Sequence, residues 1–207
     1  HVARGLALKG HEVTVFSNGD GRDTSVRVEK NRATAVDGLT VYYFANLCPP
    51  LARRNIYTTY RAPFVSRREL RRFDVVHIHT YRSTMALPAW HYAVRYGVPY
   101  VLQPHGTVET YFDKGMLKKA FDALWGRSML QRAARLVAVT PAEAGQFQRL
   151  GLGPERVETI PNGIDPGEFA DLPPRGRFRA RLGLADDELV VLYLGRIHSI
   201  KGLDLLV

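Results

Sequence analysis

Two cations stand five residues apart, bracketed by glycines, in Gly195-Arg196-Ile197-His198-Ser199-Ile200-Lys201-Gly202. They follow an apolar run, Leu189-Val190-Val191-Leu192-Tyr193-Leu194, that reads as a buried strand. In an open parallel sheet, ligands bind beyond the carboxyl ends of the strands. Arg196 falls at such an end, and Lys201 comes just before the start of a helical pattern. Flanking glycines let backbone approach a ligand closely. Two fixed cations and a helix N-terminus converging on one spot suit a diphosphate. At about 4 Å and an effective dielectric near 20, each cation–phosphate contact has a Coulomb term of roughly 4 kcal/mol before desolvation. The plain alternative is an exposed loop with two solvated cations. His105 is the second candidate. It follows the apolar run Tyr100-Val101-Leu102-Gln103, and Gly106 beside it leaves room for a ligand at the backbone. His77 and His79 alternate on one strand and so share a face. His79, at the strand end, is placed to line a cleft, whereas His77 reads as packed or hydrogen-bonded. The pair lacks a third partner for a metal. The single cysteine, Cys48, forms no internal disulfide and reads as a small, half-buried residue before Pro49-Pro50.

The elements that must position these residues are legible as alternating short strands and longer helices. A first helix ends at Lys9-Gly10, and Val13 to Phe16 and Leu39 to Phe44 follow as strands. A basic segment then reads as helical on both sides of Pro63, which is expected to break or kink it. Val75 to His79 reads as a strand, Ala86 to Tyr96 as a helix closed by Gly97, and Tyr100 to Gln103 as a strand. Leu117 to Arg135 reads as one long helix, followed by strand Leu136 to Val139. Thr140-Pro141-Ala142-Glu143 carries a full helix-start signal: Thr140 caps, Pro141 takes the first helical position and Glu143 completes a capping box. Arg156 to Ile160 is the last strand of this series. The pattern is that of βαβ units and an α/β, Rossmann-like parallel sheet covered on both faces. Pro161-Asn162-Gly163-Ile164-Asp165 reads as a tight turn, because Asn-Gly favours positive φ. The expected organisation is a domain over residues 1–165, a linker with a short helix over 166–188, and the beginning of a second α/β domain over 189–207.

The motif around Arg196 and Lys201 resembles the donor-site opening of the retaining glycosyltransferases of family 4, which have the two-domain GT-B fold. Gly10-His11-Glu12-Val13-Thr14-Val15, Asp74-Val75-Val76-His77-Ile78-His79, Pro104-His105-Gly106, the strand end Val137 to Thr140 and Pro161-Asn162-Gly163-Ile164-Asp165 resemble further landmarks of that family, in the same order. Single motifs are weak, but six in order span essentially the whole chain. The resemblance implies a transferase that moves a sugar from a nucleotide-diphosphate sugar to an acceptor hydroxyl with retention. It implies that Arg196 and Lys201 contact the donor diphosphate and stabilise the leaving charge, and that His105 lies near the transferred sugar, where Gly106 would let the backbone approach. It implies no metal, in keeping with the missing Asp-x-Asp pair, and no cofactor beyond the donor substrate. Residues 1–165 would be the acceptor-side domain, lacking its first strand, and 189–207 the opening of the nucleotide-sugar domain. Both ends therefore read as cuts through a longer gene product, and the piece alone is expected to be inactive.

Composition is ordinary for a globular protein: 45% apolar, 24% charged. No apolar stretch is long enough for a spanning helix. With one cysteine, the default compartment is the reducing cytoplasm. The net charge of +9 is uneven, since residues 52–73 hold seven arginines against Glu69 alone. Arg53, Arg54, Arg61, Arg67, Arg68, Arg71 and Arg72 are interleaved with Ile56, Tyr57, Tyr60, Phe64, Val65 and Leu70. Such a stretch suits a solvated helix packed by its aromatics, or a helix lying peripherally on an anionic membrane surface at the inner face, or a phosphorylated acceptor. A glycan or lipid-linked acceptor is the expected partner on this side. Rival readings are another GT-B enzyme, such as a nucleotide-sugar epimerase or a phosphorylase, and a non-catalytic anion- or membrane-binding module. Nucleic acid is the least supported partner, although the interleaved aromatics are compatible with stacking.

Overall fold

The computed structural model describes residues 2–19, 29–52, 57–108, 115–185, 187–195, 197 and 201–206. The chain divides into two compact units, His1–Ile164 and Asp165–Val207. Helix α1 (Val2–Leu8) leads through Gly10, at φ +87°, into strand β1 (Thr14–Asn18). Strand β3 (Leu39–Phe44) pairs parallel to β1 on one side. On its other side lies β2 (Ala33–Val36), a strand that sequence reading passed over. The hairpin between β2 and β3 turns on Asp37 and Gly38, at φ +49° and +77°. Both central residues in the left-handed region make an Asp-Gly turn whose twist matches the strands. That dipeptide was the available signal.

The second sheet has the order β4-β5-β6-β7 and is parallel throughout. Its strands are β4 (Val76–His79), β5 (Tyr100–Gln103), β6 (Arg135–Ala138) and β7 (Val157–Thr159). The crossovers are helical. Helix α4 (Ala86–Tyr96) ends on Gly97 in the left-handed conformation, and α7 (Pro141–Arg149) begins at Thr140, whose hydroxyl accepts from Glu143 N. Leu102, Leu136, Ala138, Met129, Ala93 and Phe147 are fully buried between sheet and helices. Burying each of the larger ones, Leu102, Leu136, Met129 and Phe147, is worth about 1.5–3 kcal/mol. A smaller cluster of Tyr42, Phe44, Ala62 and Val65 sits under the first sheet, and Phe16 packs against both clusters.

Several expectations need correction. The basic segment is not kinked at Pro63. After the short helix α2 (Pro49–Ala52), helix α3 (Ala62–Glu69) has Pro63 in its first turn, where a missing N–H costs nothing. The long helix expected from Leu117 to Arg135 is α5 (Gly115–Phe121) and α6 (Arg127–Arg132), joined by a π-helical turn over Asp122–Gly126. It ends at Arg132, because Arg135 already pairs in β6 opposite Val101. A Cβ on Gly126 would collide with the Tyr81 hydroxyl and with Asp122, so the wide turn accommodates a buried tyrosine against bare backbone.

In the second unit, Asp165 caps a 3-10 turn at Pro166–Phe169 by accepting from Gly167 N. The tight turn expected at Asn162-Gly163 is absent. Both residues belong to the end of the first unit, neither has positive φ and no turn forms there, and just before them the Ile160 N–H donates to Ala138 O. Helix α8 (Arg177–Leu182) is bracketed by left-handed Gly176 and Gly183. The apolar run at 189–194 is not a buried strand: Leu189 and Leu194 are each 92% exposed. A strand needs a ladder partner, and among the described residues none pairs with this run. Among the described residues no helix is long and apolar enough to cross a membrane.

Candidate active site

Parallel strands place their carboxyl ends at one edge, and two of them carry imidazoles there. Register pairs His77 with Val101 and His79 with Gln103, so the loop after β5 leaves beside His79. Thr80, itself at φ +74°, donates its N–H to Gln103 O and holds the two strand ends together. The loop then turns sharply. His105 has φ +56° and Gly106 φ +73°, and the Thr107 hydroxyl donates to Pro104 O at 2.6 Å. A left-handed backbone at a histidine is uncommon. It carries the ring back over the strand end, where His105 Nε2 lies 3.1 Å from His79 Nδ1.

Three imidazoles stack here: His77 on His79 at 4.1 Å between centroids, and His79 on His105 at 5.4 Å. His77 also hydrogen-bonds Gln103, which is buried. The rings lie face to face rather than converging on a common point, and among the described residues no group of His, Cys, Asp or Glu side chains is arranged to hold a metal. Burial between its two neighbours, followed by their charge when protonated, lowers His79 to about 4. Its edge nevertheless remains open to solvent. Burial also lowers His77. At neutral pH His79 is therefore a neutral ring. A short contact between two ring nitrogens needs a single proton between them, so one ring donates and the other accepts.

His79, His105 and Gly106, singled out from the sequence, thus meet at one sheet edge. A Cβ on Gly106 would meet open space, so it is the left-handed φ that calls for glycine there. Lys201 is exposed in the second unit, on the rim of a shallow, mainly apolar recess with Tyr193 and Leu203. Arg196 lies outside the described residues, as do Arg53, Arg54 and Ile56 of the basic segment.

Three polar residues near the His105 turn matter beyond what the sequence announced: Glu143 was expected only as part of a helix cap, and Arg82 and Asp122 were not singled out. Glu143 is only 2% exposed, and its carboxylate does not close the expected capping box on Thr140. It accepts instead from Val139 N, at 2.8 Å, and from Gly106 N. Arg82 forms a bidentate pair with Asp122, at 3.0 and 2.6 Å, and donates to the carbonyls of Thr107 and Val108. The signal for Arg82 was its place: it follows His79, the last residue of β4, by three positions. Asp122 had no signal, because forty residues separate it from its partner.

Comparison with known proteins bears on this arrangement. A family model described as Glycosyltransferase Family 4 matches residues 1–168. A D-inositol 3-phosphate glycosyltransferase of Kineococcus radiotolerans is 31% identical over the whole of this chain and 48% of its own length. D-inositol 3-phosphate glycosyltransferase 1 of Catenulispora acidiphila is 39% identical over 65% of this chain and 32% of its own. The chain thus spans about half the length, or less, of these curated relatives. Among solved structures, Anabaena HepE in complex with UDP aligns with 84% of this chain and 50% of its own, with a TM-score of 0.51 at 13% identity. That likeness is one of fold, and the half it covers is a parallel-sheet α/β domain of the GT-B type.

Proposed function

The chain belongs to glycosyltransferase family 4, and from that premise we propose that the enzyme it contributes to transfers a sugar from a nucleotide-diphosphate sugar to an acceptor hydroxyl, with retention. The observation that carries this reading is the meeting of His105, Gly106 and His79 at the carboxyl edge of the parallel sheet, within the matched residues. That edge is where open α/β sheets bind ligands. In this reading residues 1–165 form the acceptor side. His105 faces the transferred sugar, and the neutral ring of His79 holds it. Gly106 keeps the backbone free of a side chain there. Arg196 and Lys201, from the part of the chain that opens the nucleotide-sugar domain, take the diphosphate and stabilise its charge as the glycosidic bond breaks. No metal is assigned to that step.

The acceptor is proposed to be a glycan or a lipid-linked molecule. Helix α3 and the turn after it present Arg61, Arg67, Arg68, Arg71 and Arg72 to solvent, with Phe64 72% exposed among them. Val65, Ser66 and Leu70 face inward. This two-faced arrangement supports peripheral attachment to an anionic membrane on the cytoplasmic side. A phosphorylated acceptor is the second reading, favoured by the same arginines and by the inositol phosphate named for the relatives. The test is transfer by the full-length enzyme across a panel of nucleotide-diphosphate sugars. The anomeric configuration of the product should match the donor, and inositol phosphate should compete only under the second reading. An inverted product would overturn the mechanism.

A further inference from the structure

The turn that carries His105 is held, just after the histidine, by charged side chains from two other crossovers. We propose that Glu143 and Arg82 are positioning residues, which hold this turn in its left-handed backbone and so keep the His105 ring against His79. The proposal rests on the reading of His105 as a group at the transfer centre, but its geometry can be tested without that reading.

Two successive residues with positive φ, one of them a histidine, form a conformation that local preference does not supply. Such a backbone persists where its surroundings over-determine it. On the amide side, the Gly106 N–H donates to Glu143, from the first turn of α7. The same carboxylate accepts from Val139 N, just past the end of β6, so one buried charge ties the β5 and β6 loops together. A carboxylate is suited to this work because it only accepts, and both its oxygens here meet backbone donors. On the carbonyl side, Thr107 O and Val108 O accept from Arg82. Arg82 is itself fixed, by the bidentate pair with Asp122 and by the Tyr81 ring, whose centroid lies 4.7 Å from its guanidinium carbon. In the three residues that follow His105, the Gly106 donor therefore faces an anion and the Thr107 and Val108 acceptors face a cation.

The variants are Glu143→Gln and Arg82→Lys. In Glu143→Gln one of the two backbone N–H groups must face an amide NH2. Lysine keeps the charge of Arg82, but its three donors cannot replace the four hydrogen bonds of the guanidinium, two to Asp122 and one to each carbonyl. Arg82→Lys gives an independent reading should the glutamine variant not fold. Amide hydrogen exchange is measured residue by residue on this chain. Exchange at Gly106 is expected to rise at least about tenfold, with exchange at Leu102 in the core unchanged. In the full-length enzyme kcat is expected to fall about tenfold or more while donor KM stays within about twofold. Unchanged exchange at Gly106 in both variants overturns the clamp, whatever the activity. Faster exchange with wild-type kcat, when His105→Ala is impaired, overturns the positioning role. Faster exchange with wild-type kcat in all three variants upholds the clamp and removes His105 from the transfer centre.

Discussion

Which imidazole carries a proton decides how the sheet edge behaves. Burial holds His79 neutral down to about pH 4, whereas an unfolded chain protonates it near its ordinary value of 6.5. Between those values the unfolded state binds more protons, so stability should rise with pH from about 4 to 6.5 and be lost on acidification through that window. His77 is shifted in the same direction and adds to the slope. Denaturation midpoints followed across this range should therefore fall steadily with acid, and His79→Gln should flatten the dependence without abolishing it. An equally steep slope in the variant would mean that His79 titrates normally. At the proposed diphosphate site the expectation is kinetic. Arg196→Ala and Lys201→Ala should each lower turnover of the full-length enzyme about 100–1000-fold, as loss of a preorganised charge does. Turnover at the wild-type rate in either variant would withdraw that residue from the donor site.

Elements position these groups through a few unusual joints. The π-helical turn at Asp122–Gly126 sets Asp122 against Arg82 and leaves bare backbone at Gly126 for Tyr81. Burial and the neighbouring carboxylate push the Tyr81 phenol well above its ordinary value, so it stays protonated. Gly126→Ala should cost about 1–3 kcal/mol, the usual price of overpacking, read from urea denaturation. Stability within error of wild type would mean that the turn adjusts freely. Helix α3 carries a separate expectation. Basic residues near an anionic surface contribute about 1 kcal/mol each. Co-sedimentation with vesicles should require anionic lipid, weaken as salt rises, and drop when Arg67, Arg68, Arg71 and Arg72 become glutamine. Equal binding to neutral vesicles would leave α3 as ordinary surface.

For the whole molecule, what could be read in the sequence was what is local. Helix α4 with its Gly97 cap, strands β3 and β5, and the Thr140 cap each announce themselves within a few residues. His79, His105 and Gly106 could be placed at one edge because parallel strands end together. What escaped depends on distant partners: Glu143 reaching Gly106, Arg82 reaching Asp122, and the apolar run at 189–194, which has no strand to pair with among the described residues. The central claim is that His105 serves sugar transfer from a nucleotide-diphosphate donor. The most direct test is the rate of nucleoside diphosphate release by the full-length enzyme with its best donor, in wild type and in His105→Ala, alongside donor affinity by calorimetry. The account predicts a rate lower by about 100-fold with donor affinity nearly unchanged. A wild-type rate in His105→Ala, or a large loss of donor affinity with unaltered chemistry, would contradict it.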